Sequence, residues 1–458
     1  MWIKRQEGYC LKEIAGVHYL LPYGQKVADQ RKGIVLNETG VFLWNELQET
    51  MTDEELAEKL VHYYSADGEA VNENQGEIQN QMQDQIQDQI RQDVKQFVQE
   101  LLSLGILQEC LRCAEDADDA TCVYLTKEPF AGCLEIAGMR IALYGSRDLI
   151  SSQFDAFLKD CASAQEKSQS ESQAKLQNEL QTESQIKMQI KMPVQMQIEI
   201  LQRTTPFHPN GKTLIRNEEL VVCENEQGYI ILFPSMNQIQ EAHMTRDGRF
   251  AQIYVKGLDK EKTKEELFHA IRHFFLFFAQ RQGFFAIHSA SILYRDQVWL
   301  FSVHSGMGKS THTNLWKEQF GTKIINGDLN LIGWNSGKQD SSGQNVNKPD
   351  SKGHPIVYGM PWCGTSGIAS TKSYPLGGIV LLGRSDNDHF ESLTNDQKIV
   401  RVMQRMISPV WTEDMLEANL KCAAKLAKEV PIYHLLCTKE PSAAYVMKAR
   451  IDKEDAQQ

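Results

Sequence analysis

The chain reads as a small α+β domain followed by a larger mixed α/β domain organised around a phosphate-binding loop. Three observations carry that reading. Residues 1–108 show two short strands and then helical periodicity. The stretch Val303-His-Ser-Gly-Met-Gly-Lys-Ser310 stands between an apolar strand and a helix start. Apolar runs of strand length recur on both sides of that stretch, from Cys133 to Leu436. With 458 residues, 41% of them hydrophobic, there is material for at least two cores of ordinary domain size.

Composition narrows the partners. Lys and Arg number 48 against 60 Asp and Glu, a balance of −12 that argues against general binding to nucleic acid or to anionic membrane. No run approaches the roughly 18 apolar residues of a membrane span. The opening MWIKRQEGYC has no apolar signal region, so a cytoplasmic location is expected. Cys110 and Cys113 have the spacing of half a zinc site, but Cys122 and Cys133 do not complete it and no histidine lies nearby. Ten ordinary free thiols are the expectation.

In the first domain, Gly16–Leu21 and Gly33–Leu36 read as strands around the turn-rich PYGQ. Asn37 or Thr39 can cap a helix carrying Val41, Phe42, Trp44 and Leu47. A second helix starts near Thr52, with Glu55 three residues on as a capping box, and buries Leu56 and Leu60. A third runs from about Asp93 to Gly105. A Gln-rich stretch at 72–92 interrupts this domain, and another at 163–202 interrupts the larger one. Both are expected to be extended helix or disorder, and neither is assigned chemistry. An acidic linker, 109–121, leads to the larger domain at 122–450, and 451–458 form a tail.

The first domain resembles the PqqD-like peptide-recognition domains of pathways that modify ribosomally made peptides. VLNETGVFLWNELQE at 35–49, the acidic start at Asp93 and LLSLGIL at 101–107 carry the resemblance, which covers most of residues 10–108. It implies a small winged-helix-like peptide-binding domain that holds a leader peptide as an added strand against a sheet edge and a helix. The groove would fall between the strand at Gly16–Leu21 and the helix from Leu56 to Tyr64. Tyr19, Leu21, Leu56 and Leu60 are its candidate contacts, and each reads equally well as core.

In the larger domain, expected strands include Cys133–Ile136, Met139–Leu143, Glu219–Val222, Tyr229–Leu232, Phe250–Val255, Ala290–Leu293, Gly377–Leu382 and Ile432–Leu436. The apolar helix Lys264–Arg281 should pack on a sheet. Helices at Asp396–Met406 and Glu413–Lys428 and from Pro441 complete the unit. At the loop, Ser305, Gly306, Met307, Gly308, Lys309, Ser310 and Thr311 would cradle the phosphates of a nucleotide. Lys309 would reach the β/γ-phosphates and the Ser310 hydroxyl a Mg²⁺. Val303 occupies the place where the usual pattern has its first glycine.

Asp328, nineteen residues beyond Lys309, is separated from it by one helix and a returning strand. It can bind Mg²⁺ or take a proton from an acceptor hydroxyl; the two roles stay open. Asn326 either orients that carboxylate or shapes the turn. His288 either touches phosphate or acceptor, or bonds a carbonyl in the core. His304 and His312 rank below Asp328 as bases. Val357-Tyr-Gly-Met-Pro-Trp-Cys-Gly-Thr-Ser-Gly367 should be a site-forming loop in which Trp362 packs over nucleotide or substrate and Thr365 and Ser366 meet phosphate or peptide. Cys363 lacks a paired base. Lys372 and Arg384 are either phosphate partners or solvated surface.

Together AIHSASI, FSVHSGMGKSTHTNLW, INGD and YGMPWCGTSG make the larger domain resemble the HPr kinase/phosphorylase and phosphoenolpyruvate carboxykinase-like superfamily, in particular kinases encoded with modified-peptide pathways. The resemblance implies a mixed α/β P-loop kinase domain of the HPr kinase type, with ATP and Mg²⁺. By position it makes Lys309, Asp328 and His288 catalytic, and Ser310 and Asp328 metal ligands. The family often has paired acids after the loop; here Gly327 replaces the first. The combined expectation is a leader-guided kinase acting on a Ser or Thr hydroxyl of a ribosomally synthesised precursor peptide. Other peptide-maturation enzymes and a second copy of the chain are further candidate partners. The alternatives are a non-enzymatic leader-binding, nucleotide-responsive adaptor, or an enzyme using ATP for another peptide modification.

Overall fold

A computed structural model describes residues 2–48, 51–66, 78–109, 128–159, 194–203, 211–303, 308–334 and 353–455. The chain divides into two units, Met1–Asp118 and Asp119–Gln458. The first contains strands β1 (Trp2–Arg5), β2 (Tyr9–Ile14), β3 (Val17–Pro22), β4 (Ile34–Leu36), β5 (Met51–Thr52) and β6 (Leu107–Glu109). Its helices are α1 (Gln25–Ala28), α2 (Glu38–Glu46), α3 (Asp53–Ala66) and α4 (Ile78–Ser103).

The caps fall where the sequence places them. Asn37 Oδ1 accepts from the Gly40 N–H at 2.8 Å and opens α2. Thr52 Oγ1 accepts from the Glu55 N–H at 3.1 Å while Glu55 Oε2 accepts from the Thr52 N–H at 2.7 Å, a reciprocal box that opens α3. Each such cap is worth about 1 kcal/mol. Gly105, at φ 67°, lets the Ile106 N–H return to the Leu101 carbonyl at 2.8 Å and closes α4. The upstream end of α4 differs from expectation. It begins at Ile78, so most of the first Gln-rich stretch is one continuous helix with the predicted one.

Two three-stranded antiparallel sheets complete this unit, in the orders β2-β3-β4 and β5-β1-β6. Leu20, Leu43, Trp44, Leu56, Leu60, Val94, Val98 and Leu101 share one core. The second sheet joins Ile3 to both Met51 and Glu109. Such pairing between distant short segments has no local pattern to announce it.

In the second unit the first sheet has the order β11-β12-β13-β14-β15-β10-β8-β7-β9. Its strands are β7 (Phe130–Ile136), β8 (Met139–Tyr144), β9 (Leu158–Lys159), β10 (Met196–Gln202), β11 (Lys212–Arg216), β12 (Val221–Glu224), β13 (Gly228–Leu232), β14 (Ile239–Thr245) and β15 (Phe250–Val255). Helix α5 (Lys260–Arg281) buries Phe274, Phe275, Phe277 and Phe278, as its broad apolar surface predicts. Tyr229 of β13 meets Phe277 with ring centroids 5.4 Å apart, which fixes α5 on that sheet.

The second sheet has the order β16-β20-β21-β22-β18-β17-β19, with β24 on β22 and β23 on β24. These strands are β16 (Phe285–His288), β17 (Ala290–Tyr294), β18 (Gln297–Ser302), β19 (Lys323–Asn326), β20 (Leu329–Trp334), β21 (Pro355–Tyr358), β22 (Tyr374–Arg384), β23 (His389–Glu391) and β24 (Ile432–Cys437). β18, β22 and β24 are mutually parallel. Helix α6 (Lys309–Phe320) crosses from β18 to β19, and α7 (Asn395–Met403), α8 (Glu413–Glu429) and α9 (Pro441–Asp455) follow. Trp316 of α6, Phe301, Leu435 and Met447 pack into one core that holds α6 and α9 against the sheet.

Among the described cysteines, Cys10, Cys223, Cys363, Cys422 and Cys437 are free, as expected. Cys133 corrects that expectation: its fully buried sulfur is disulfide-bonded. Cys110, Cys113 and Cys122 lie outside the described residues, as does the second Gln-rich stretch up to residue 193. Among the described residues no helix is long and apolar enough to cross a membrane.

Candidate functional site

Ser289 separates β16 from β17, so one extended segment pairs with three different strands, β20 before it and β18 and β19 after it. A buried polar network holds the junction. Asn330 Nδ2 donates to the Ser289 carbonyl at 2.6 Å, and Ser291 Oγ donates to Asn330 Oδ1 at 2.7 Å. The Ser289 N–H donates to the Asp328 carbonyl at 2.9 Å. His288 is pinned on both sides: its N–H donates to the Arg405 carbonyl at 2.8 Å, and its carbonyl accepts from Ser302 Oγ at 2.6 Å. Buried polar groups satisfied to this degree fix side-chain positions.

Gly327 and Asp328 form the turn between β19 and β20. Asn326, 1% exposed, builds that turn: its Oδ1 accepts from the N–H groups of Asp328 (2.9 Å) and Leu329 (3.0 Å). Its Nδ2 donates to the carbonyls of Met360 and Trp362, both at 3.3 Å. Asn326 is therefore the turn-former rather than a carboxylate orienter.

The turn carries Asp328 to His288 and Lys309. His288 Nε2 lies 2.9 Å from Asp328 Oδ1, Lys309 Nζ lies 3.1 Å from the same oxygen, and Lys309 Nζ also contacts His288 Nε2. The hydrogen bond with His288 is the largest influence on the Asp328 carboxyl, and with the Lys309 charge it holds that carboxyl far below the usual range, against burial. Burial pulls the Lys309 ammonium below its usual value, and Asp328 opposes that fall. The three side chains thus converge at one point.

Lys309 is the first residue of α6, after Gly308 at φ 116°. Among the described residues nothing lies within 4 Å of the place where a Cβ would stand at Gly308, and its left-handed backbone favours glycine there. The His312 N–H makes the first α-helical bond, to Gly308, so the N–H groups of Lys309, Ser310 and Thr311 precede that ladder. Ser310 and Thr311 are exposed beside them. Ser305, Gly306 and Met307, with His304, lie outside the described residues. Arg384, exposed at the end of β22, lines with Gly308, Thr311 and Lys439 a small cavity of about 30 Å³ at the start of α6.

The loop after β21 differs from expectation. Trp362 is 2% exposed, donates from Nε1 to the Phe268 carbonyl at 2.8 Å and packs on Phe275 at 5.3 Å. It is a core residue and covers no ligand. Cys363 is buried and its thiol pushed up by burial. Ser366 Oγ donates to the Cys363 carbonyl at 2.7 Å and closes a tight turn. That turn explains Gly327: a Cβ there would stand 2.1 Å from Ser366 Oγ and 2.5 Å from Ser366 Cβ. No acid fits beside Asp328 while this loop is in place. His312, 3% exposed, accepts from Trp316 Nε1 at 3.3 Å inside the core, so it is no base. Lys372 is exposed.

Arg405 is the residue that sequence patterns missed. Ile287 bridges Met406, which brings the chain after α7 against β16, and the Arg405 charge bears on Lys309. No local signal marks it, because the contact joins segments far apart in the chain.

In the first unit Leu21, Leu56 and Leu60 are 2%, 0% and 2% exposed, and the latter two belong to the shared core, so as they stand they offer a peptide no surface. Tyr19 is half-buried. It lies on β3, the middle strand of its sheet, paired with Lys12 on one side and Val35 on the other. A strand cannot be added there. The open edges belong to β2 and β4, and Val35 of β4 is 59% exposed.

Residues 27–107 match the family described as Coenzyme PQQ synthesis protein D (PqqD). The match lies wholly within the first unit and makes that unit a PqqD domain, followed by a larger mixed α/β body. No curated protein matches the chain.

Proposed function

We propose that this protein captures a ribosomally synthesised precursor peptide through its PqqD domain and, with ATP and Mg²⁺, phosphorylates a Ser or Thr hydroxyl of that peptide in the second unit. The observation that carries the kinase reading is the meeting of Lys309, His288 and Asp328 at the start of a helix introduced by Gly308. Peptide capture rests on the PqqD match. The leader would add as a strand beside β4, and its tether would raise the local concentration of the acceptor.

The residues present suit the group. The N–H groups that precede the helical ladder and the exposed hydroxyls at the start of α6 favour phosphate, and Lys309 supplies the positive charge. Asp328 and Ser310 would hold the metal. Bound there, Mg·ATP supplies the phosphoryl group and the charge neutralisation for its transfer. Asp328 stays ionised at neutral pH, so it suits a metal and the hydrogen bond of an acceptor hydroxyl. His288 keeps that carboxylate aimed. Lys309 exchanges its pairing with Asp328 for phosphate oxygens.

The adaptor reading has one specific observation in its favour: Ser366 fills the place of a second acid next to Asp328. Among the described residues no group of three or more metal-ligating side chains forms. Intact-mass analysis of the precursor after incubation with protein, Mg²⁺ and ATP separates the readings. A gain of about 80 Da, one phosphoryl group, is expected. Tight peptide binding with no mass change and no ATP turnover would leave the adaptor.

A further inference from the structure

We infer that the cavity beside α5 seats a carboxylate of the acceptor, with Arg272 as its cationic partner and His269 and His273 as hydrogen-bonding neighbours. The inference rests on the phosphorylation reading and names the chemistry of the substrate in it. The cavity, about 490 Å³, is lined by these three residues with Glu219, Lys262, Glu265 and Glu266 among others.

Phe268, Arg272 and Phe275 stand at positions i, i+4 and i+7 of α5, on one face. Phe268 and Phe275 both meet the ring of Trp362, at 5.9 and 5.3 Å. The Trp362 carbonyl is in turn held by Asn326, the builder of the Asp328 turn. The face that carries Arg272 therefore looks toward the site, and the charges of Glu219 and Asp328 both bear on its guanidinium. Arg272 is half-buried, and among the described residues it makes no hydrogen bond or ion pair. A half-buried guanidinium facing a cavity is well shaped for two carboxylate oxygens.

The neighbours set the charge of the ligand. Burial lowers the pKa of both imidazoles, His273 to about 3, and the Arg272 charge adds to the effect. Both rings are neutral at neutral pH and add donors without a second positive charge. Glu266 is already engaged, accepting from the N–H groups of Asn237, Gln238 and Ile239 at 2.9, 2.7 and 2.9 Å. Glu219 is exposed, where water screens it. Lys262 already lies 3.8 Å from Asp259, so among the described cations lining the cavity Arg272 is the one left for a ligand; it suits one carboxylate, whereas a dianion would meet Glu219, Glu265 and Asp328. With the Asp328 charge bearing on Arg272, a carboxylate held here makes the substrate class a Ser or Thr whose own or neighbouring residue carries a carboxylate.

Ligand-observed NMR titrations of the full-length protein test this without ATP. The probes are acetyl-Gly-Ser-Asp-Gly-amide, its Asn counterpart and inorganic phosphate. The Asp peptide is expected to bind about tenfold more tightly than the Asn peptide. Arg272→Gln should reduce that preference below about twofold, and Lys421→Gln, exposed on α8, should leave it intact. Should Arg272→Gln fail to fold, His269→Phe is expected to weaken the Asp peptide several-fold by the same measure. Equal binding of the two peptides by the unaltered protein overturns the inference, as does a preference that survives in folded Arg272→Gln. Phosphate binding that depends on Arg272 while the peptides bind alike assigns the cavity to free phosphate and overturns the carboxylate. Failure of the kinase reading shows instead as an unchanged precursor mass, and leaves these titrations as they are.

Discussion

The PqqD domain and the Asp328 site bury different things. In the first unit Leu20, Trp44, Leu56 and Leu60 close on one another, and the polar groups that matter are helix caps at the surface. Around Asp328 the structure buries Asn326, Asn330, Ser289, Ser291 and most of Lys309. A buried apolar side chain needs only neighbours, so its position reports packing. A buried amide or ammonium needs defined partners, so its position reports a geometry that the fold is holding. The second region is therefore the one in which chemistry can be assigned residue by residue, and the first offers its sheet edge.

Altering each region in turn should separate these roles. The largest effect is expected from Asp328→Asn, which should lower phosphoryl transfer by about 10²–10⁴-fold and leave leader affinity unchanged. Single-turnover assays beside leader-binding titration measure both, and undiminished transfer would remove Asp328 from the chemistry. Leu56→Ala should cost the first unit about 2–5 kcal/mol in denaturant unfolding, with leader binding lost only as the domain unfolds. Tyr19→Ala, at a half-buried site, should cost far less stability.

The next effect is one of pH. Burial holds His312 at about 4, below the ordinary 6.5. The folded state keeps this ring neutral while the unfolded chain takes up a proton. Its contribution is thus fully present above pH 6.5 and is lost as the pH falls toward 4, by about 3 kcal/mol. Unfolding curves across that range should show the slope, and His312→Phe should flatten it. The smallest effect belongs to Gly327→Asp. Overpacking against Ser366 should cost about 1–3 kcal/mol, and Ser366→Gly should restore most of it. Full stability in Gly327→Asp alone would show that the loop yields easily and that the missing acid has another cause.

Local signals were legible where one short stretch held both partners of an interaction. The cap of α2, the box of α3 and the Gly105 stop of α4 are examples. So is the run from β18 into α6, whose apolar strand and glycine turn lie side by side in the chain. Trp362, expected over a ligand, and Leu56, left open between peptide contact and core, share a common reason: a large apolar residue in a loop or on a helix looks the same whether it meets a ligand or a core. Arg405 and Arg272 carry no pattern at all. Their meaning comes from Ile287 pairing with Met406 and from Trp362 lying on α5.

The sequence by itself determined the capped starts of α2 and α3, the stop of α4 and the residue types able to hold phosphate, because those depend on neighbours a few positions away. Only the tertiary structure decided that Asp328 meets His288 and Lys309, that β3 is an interior strand and that Gly327 has no room for a side chain. Each of these is a contact closed across a long loop of chain, stabilised by burial and hydrogen bonds between segments that share no local signal.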